Sequence, residues 1–311
     1  MSASLTLLLP PASRFAGILL PPALANALGR ADRTQTGSGE SARLARHFDL
    51  LPRGWPAAAL TRLLDAGEDD ARHGAWLRAD PAHIRPDING ARLLGIGANL
   101  GMEQADVDAL LPALRPLFGD AGFQLDAPHP SRWYLRLPRE AKLPAFASPD
   151  EALGDDVFDH LPSGNEARRW RALESEVQIT LHNHPHNTAR LAAGKVPVNA
   201  LWFWGGGMLP DAVSAAVPNV YSDDLAVLGA ARLGGLQGKP LSAFQMSAGD
   251  ALVDLRGQRD ARALVERWLL PAAADAGKRA TTFDFADGLA FALRPNQRWC
   301  FWRKPLSDLS A

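Results

Sequence analysis

Short apolar runs alternate with Ala/Leu-rich stretches at both ends of the chain, and this constrains the fold more than any single motif. "SLTLLL" reads as a buried first strand, stopped by Pro10 and Pro11, and a helix from Pro22 to Ala31 follows it. Near the other end "GDALVDLR" reads as a strand and Asp260 to Ala276 as a helix. "ATTFDFADGLAFALRPNQRWCFWRK" then reads as a hairpin turning at Asp287-Gly288. Strands alternating with helices pack as a sheet with helices on its faces. The middle is mixed. "HGAWLRADP" and "PSRWYLRLP" read as strands, and "GMEQADVDALLPALRPLFGDAG" places Val107, Leu110, Leu111, Leu114 and Leu117 or Phe118 on one helical face. The expected architecture is α/β, a sheet core flanked by helices and split by an inserted α+β domain. The core is assigned to 1–75 and 198–311, the insert to 76–197.

Connections follow from local chemistry. "DRTQTGSGESA" is a polar, exposed link, and "DLLPRGWPAAALTRLLDAG" is a loop leading into a helix with Pro56 near its first turn. From Ser163 to Leu191 the pattern is helical, with Ser163 as N-cap and Glu166 completing a capping box. "VNALWFWG" returns as a buried strand of the core, and "DDLAVLGAARLGG" is a helix ended by glycine.

A chain of 311 residues with 47% hydrophobic and 22% charged residues has the composition of a globular protein. Its net charge of −1, with both signs mixed, provides no basic patch for nucleic acid. Lone Cys300 excludes an intrachain disulfide and a cysteine zinc cluster. The N-terminus lacks the positive segment of a secretory signal, and no apolar run reaches the ~18 residues of a membrane span. A cytoplasmic protein without membrane partners is expected.

His182, His184 and His186 alternate just before "WFWGGG". On a strand all three would share a face; on a helix only His182 and His186 would. Pro185 favours a helix end, and no HExxH pattern is present, so imidazoles that cap carbonyls or line a cleft are expected rather than a metal site. "WGGGMLP" matches neither GxGxxG nor GxxxxGK[ST], and reads as a tight strand exit where the backbone passes close to another group. Trp202 and Trp204 share a strand face and are assigned to the core, as are Trp299, Phe301 and Trp302. No GxSxG elbow supports a serine triad.

The segment "ESEVQITLHNHPHNTARLAAGKVPVNALWFWGGG" resembles the archaeal-type cofactor-independent phosphoglycerate mutases, of the form "E-S-Q … D-H-P-V-N-x-A-R … G-K-x-P-A-N-x-I-W-L-W-G-x-G". It keeps His184, Pro185, Asn187, Arg190, Gly194, Pro197, Asn199, Trp202, Trp204, Gly205 and Gly207 in unbroken spacing. "WLRADPAHIRPD" and "DDLAVLGAARLGGLQG" extend the resemblance to about residues 70 to 240. The whole chain is more similar still to a bacterial offshoot, the RpfE-type regulatory proteins. The resemblance implies an alkaline-phosphatase-like core with two divalent metals, a phosphoryl-accepting serine, and an inserted domain whose arginines hold the substrate.

The departures fall on the chemistry. Pro10 and Pro11 stand where the family's first strand ends in Asp-Gly, and Trp55 stands at the serine position. Leu94 to Asn99, "LGIGAN", replaces the arginine clamp. Every histidine lies at or before 186, whereas the family's metal histidines lie in the C-terminal half. The expected protein is a non-catalytic descendant without a cofactor, in a regulatory role, binding an anionic small metabolite or a protein partner. Arg78, His184, Asn187, Arg190 and Asn199 are its candidate cleft residues, their alternative role being capping and hinge hydrogen bonds. The competing expectation is an active phosphoglycerate mutase or metal-dependent phosphatase holding magnesium or manganese through Asp223, Asp224, Asp254 and Asp260.

Overall fold

The computed structural model describes residues 3–37, 39–88, 90–300, 302–306 and 308–309. The chain begins with β1 (Ser4–Leu9), α1 (Pro22–Arg30), β2 (Asp32–Gln35), α2 (Glu40–Leu44) and β3 (Phe48–Leu51). The middle holds α3 (Ala57–Ala66), α4 (Glu68–Arg72), β4 (Ala75–Asp87), β5 (Gly90–Ile96), α5 (Gln104–Asp120), β6 (Gln124–His129) and β7 (Arg132–Leu137). It continues through α6 (Pro149–Ala152), α7 (Ala167–His182), α8 (Pro185–Ala192) and β8 (Ala200–Met208). The last part runs β9 (Ala212–Ala215), β10 (Asn219–Tyr221), α9 (Leu225–Leu233), β11 (Gln237–Lys239) and β12 (Ala251–Asp254). It ends with α10 (Ala261–Leu264), α11 (Leu270–Asp275), β13 (Ala280–Phe285) and β14 (Leu289–Leu293).

These elements form two compact units, Met1–Trp55 with Pro210–Ala311, and Pro56–Leu209. The first is an α/β unit on a seven-stranded sheet ordered β11-β10-β12-β1-β13-β14-β2. Its strands are parallel from β11 to β13, and antiparallel pairing brings in β14 and β2. β1 lies central because "LTLLL" is apolar on both faces, as a parallel strand covered on both sides must be. The hairpin β13–β14 turns at Asp287-Gly288 as expected, with Gly288 at φ +85°. The link after α1 is not wholly a loop: "DRTQ" adds an edge strand to β14, and residues 40–44 form α2.

The second unit is α+β. β4 is its long central strand, paired antiparallel with β7 and β5 on one side and with β8 on the other, while β6 pairs with β7. α5 buries Val107, Leu110, Leu111, Leu114 and Phe118, the face its periodicity predicts. β8 departs from the expectation: it is a strand of this second sheet, not of the core sheet. For that reason the division between units lies at 55/56 and 209/210, where the sequence reading put 75/76 and 197/198. α3 belongs with β8 too. A Cβ on Gly205 would lie 2.9 Å from Ala57 Cβ, and one on Gly207 would lie 2.7 Å from Pro56 Cβ. The glycines are therefore part of the strand, and what passes close is the start of α3.

The helical stretch 163–191 is interrupted. α7 starts at Ala167 after Glu166, with no side-chain cap, so the Ser163–Glu166 capping box is absent. Asn183 ends α7, and Pro185 opens α8 as its first residue, where the missing N–H costs nothing. Trp202 is buried and Trp204 packs partly buried beside it. Trp299 and Trp302, expected in the core, are 64% and 68% exposed, and Phe301 lies outside the described residues. Among the described residues no helix is long and apolar enough to cross a membrane.

Candidate functional site

In a parallel sheet the carboxyl ends of the strands are where ligand-contacting groups collect. In the seven-stranded sheet that edge carries Ser222 after β10, Asp254 at the end of β12, Asp284 near the end of β13, and the 40–47 segment above Leu9 of β1. Asp254 is buried and accepts from Ser222 Oγ at 2.7 Å. Arg256, two residues further, forks onto it through Nε at 2.7 Å and Nη2 at 2.8 Å. The same guanidinium reaches Asp224 at 2.8 Å and Glu40 of α2. One arginine thus stands among three carboxylates, the geometry in which its planar fork is most effective.

The electrostatics follow from that arrangement. Burial works to raise the Asp254 carboxyl, but Arg256, Ser222 and the Arg256 N–H outweigh it and hold Asp254 below the ordinary carboxylate range. Arg256 is also buried, and Asp254, Asp224 and Glu40 drive its own affinity for the proton up. Arg43 lies beside them with Nη1 donating to Leu9 O at 2.6 Å. Burial and then repulsion from Arg256 lower its pKa to about 10. Its Nε–H is buried without an acceptor among the described residues. Asp284 pairs with Arg46 at 3.0 Å and His47 at 2.8 Å. Trp55 packs its ring on Phe48, centroids 5.7 Å apart, and is half-buried.

The four acidic residues offered as metal ligands have other engagements. Asp223 is exposed and accepts from Leu241 N at 3.1 Å. Asp224 caps α9 through Ala226 N at 2.8 Å as well as meeting Arg256. Asp260 is exposed and caps α10 through Ala263 N at 3.0 Å. Among the described residues no three His, Cys, Asp or Glu come together to hold a metal ion. The donor set does not fit a divalent pair: the positive charge that Asp224 and Asp254 require is already covalently present in Arg256.

The candidate cleft residues all lie in the second unit, and each is bound into its framework. Arg78 of β4 forks onto Asp80 at 2.7 and 2.8 Å, donates to Thr61 Oγ1 at 3.2 Å, and lies over the rings of Tyr134 and Trp204. His184 caps α8, its Nδ1 accepting from His186 N at 3.2 Å, so the cap meets an N–H and not the carbonyl expected. His186 bonds Asp106 at 2.7 Å, while His182 is exposed at the end of α7. Asn187 donates to Leu181 O and Val198 O and accepts from Val198 N, which fixes α7, α8 and the chain entering β8. Arg190 meets Asp106 at 2.7 Å, Val196 O at 3.0 Å and Leu100 O at 2.7 Å. Asn199 exchanges two bonds with the Ile84 backbone, 2.8 and 2.7 Å, acting as an extra rung beside β4. The junction these residues make is internal to the second unit, because β8 is a strand of its sheet.

Sequence reading passed over Glu40, Arg43, Arg46, His47, Ser222, Arg256 and Asp284. The available signal was the spacing "DLR", which puts a guanidinium two residues past a strand-end carboxylate, and the basic run within "ARLARH".

No family model matches the chain. A stretch of 62 residues, 20% of the chain, is 42% identical to a probable 2,3-bisphosphoglycerate-independent phosphoglycerate mutase of Geobacter sulfurreducens, and covers 16% of that protein. Equal coverage is found at 34% identity with the 2,3-bisphosphoglycerate-independent phosphoglycerate mutase of Methanothrix thermoacetophila. Among solved structures, a cofactor-independent phosphoglycerate mutase from Thermoplasma acidophilum aligns over 94% of this chain and 89% of its own, with TM-score 0.39 and 15% identity. A Pyrococcus horikoshii protein aligns over 94% and 86%, with TM-score 0.45 and 13% identity. The chain is therefore similar, over part of its length, to cofactor-independent phosphoglycerate mutases.

Proposed function

We propose that the chain is a non-catalytic relative of the cofactor-independent phosphoglycerate mutases, of the RpfE regulatory type and with an alkaline-phosphatase-like core. In this reading it acts in the bacterial cytoplasm by binding an anionic small metabolite or a protein partner. The observation that carries the reading is Arg256. Phosphoryl transfer by a seryl enzyme needs cations that neutralise the transferred group and activate the hydroxyl. Here the strand-end carboxylates are neutralised by a side chain that cannot leave, and the position matched to the serine is Trp55, whose indole has a donor and no nucleophilic oxygen. The buried Nε–H of Arg43 lacks an acceptor and supports the anionic choice of ligand.

The test combines elemental analysis of chelator-free purified protein with an enolase-coupled assay of 3- and 2-phosphoglycerate interconversion. Expected are substoichiometric manganese, zinc and magnesium and no turnover with any of them added. About two metal equivalents per chain, or turnover abolished by Asp254→Ala, would restore the active mutase reading.

A further inference from the structure

A half-buried carboxylate is met in the opposite way. In the Pro56–Leu209 unit a cavity of about 50 Å³ lies between α7, the 146–162 segment and strands β4 and β8. Most of its lining side chains are apolar, among them Ile84 of β4, Phe146, Leu161, and Trp202 and Phe203 of β8, and His160, Glu174 and Gln178 are the polar ones. Glu174 of α7 lines this cavity and accepts no hydrogen bond from the described residues. A half-buried carboxylate given no donor by the described residues, set among aromatic side chains, carries a partial desolvation cost that a cation of matching size would relieve.

We propose that this cavity binds the protonated aminoalkyl end of a small molecule, with Glu174 as its counter-ion and the aromatic wall around its methylene groups. Size selects the ligand. Since a water needs about 10–15 Å³ of such space, the cavity takes a chain of a few heavy atoms and no ring. Charge selects it again, because an anion would meet Glu174 and a neutral alkyl group would leave the carboxylate unpaired. The remainder of the ligand extends through the opening beside Gln178, which is exposed.

The charged neighbours are few. Arg171 on α7 acts on Glu174 through space, and His160 from the 157–160 turn lines the cavity, with Asp155 3.4 Å from its ring. The residues that β4 and β8 contribute to the wall are apolar. Burial, opposed by Arg171, pushes the Glu174 carboxyl up to about 7, so an incoming ammonium group displaces a proton on binding near neutrality. This site is separate from Arg256 and does not depend on the mutase-like reading.

The experiment is calorimetric titration of the full chain with butylamine and diaminobutane, with butanol and butyrate as controls. The amines are expected to bind, about tenfold more tightly at about pH 8 than at about pH 6, and the controls not to bind. Glu174→Gln is expected to weaken amine binding at least about tenfold while keeping the far-ultraviolet circular dichroism of the parent. Leu161→Trp, which fills the cavity and keeps the carboxylate, is expected to abolish binding as well, so a folding defect in one variant does not decide the matter. Butanol binding as well as the amines, unchanged amine affinity in Glu174→Gln, or no saturable binding of either amine would each overturn the proposal.

Discussion

Asp254 is a buried carboxylate at the end of a parallel strand, and Glu174 a half-buried one on a helix facing a largely apolar cavity. Arg256, Ser222 and a backbone N–H fill the valences of Asp254, and its pKa falls; Glu174 has no donor among the described residues, and its pKa rises. The contrast teaches that burial alone does not mark a binding site. A carboxylate fully answered by its own chain is closed to ligands, however functional its position in the fold looks. One left unanswered is open to a cation of the right size.

The strongest way to break this comparison is to remove the answer. Arg256→Met keeps much of the side chain's volume and leaves Asp254, Asp224 and Glu40 without their shared cation. Stranding a buried charge in this way is expected to cost about 3–5 kcal/mol at neutral pH in denaturant unfolding. Asp254 has a depressed folded pKa, so in the parent its contribution is complete above the unfolded carboxylate value and is lost as pH falls through the folded value. In Arg256→Met that acid-side loss should shrink. A cost below about 1 kcal/mol would show that the arginine is not what satisfies the carboxylates.

Next in size is Arg190→Ala. It removes the cation from Asp106, which is buried with it, and frees the carbonyls of Val196 and Leu100. About 2–4 kcal/mol should be lost, seen as a lower melting temperature. Unchanged stability would return Arg190 to the pool of ligand-binding residues.

How much of this was readable beforehand depends on the range of the interaction. The helical face of α5 and the turn at Asp287-Gly288 are local, and both were legible. The affiliation of β8 was not, because "ALWFWGGG" is equally apolar whichever sheet it joins and its partner β4 lies more than a hundred residues earlier. The glycines' purpose, letting α3 approach β8, is likewise a long-range fact. Arg256 was hidden for a different reason: an arginine two residues beyond a strand looks like ordinary surface charge until three carboxylates from separate segments converge on it. The exposed Trp299 and Trp302 show the converse, aromatic residues assigned inward by type alone.

The open carboxylate gives a smaller, pH-dependent effect. Glu174 has a folded pKa raised to about 7, so the native state holds a proton that the unfolded state has released, and stability declines as pH rises from the unfolded value through 7. Allowing for its partial exposure, about 1–2 kcal/mol should disappear between roughly pH 5 and pH 8. Glu174→Gln should flatten that slope. An identical slope in parent and variant would remove the contrast with Asp254.

The smallest effect belongs to Asp260, and it sharpens the comparison by testing a carboxylate that is neither buried nor paired with a guanidinium. Among the described residues its side chain makes one contact: Oδ1 accepts the Ala263 N–H at the first turn of α10. That helix runs on through a π-helical turn, Val265–Leu269, into α11, and Leu264, Val265 and Leu269 are buried in the first unit's core. Core packing therefore holds the helix, and the cap only completes its exposed end. Asp260→Ala should cost about 0.5–1 kcal/mol, near the low end for N-cap removal, and Asp260→Asn, which keeps the acceptor, should cost less. Because the cap works through an oxygen lone pair rather than a bound cation, added magnesium or manganese should stabilise parent and variant equally. A stabilisation by either metal that vanishes in Asp260→Ala would mean that Asp260 is a ligand and that the acidic groups at this end of the sheet are not closed.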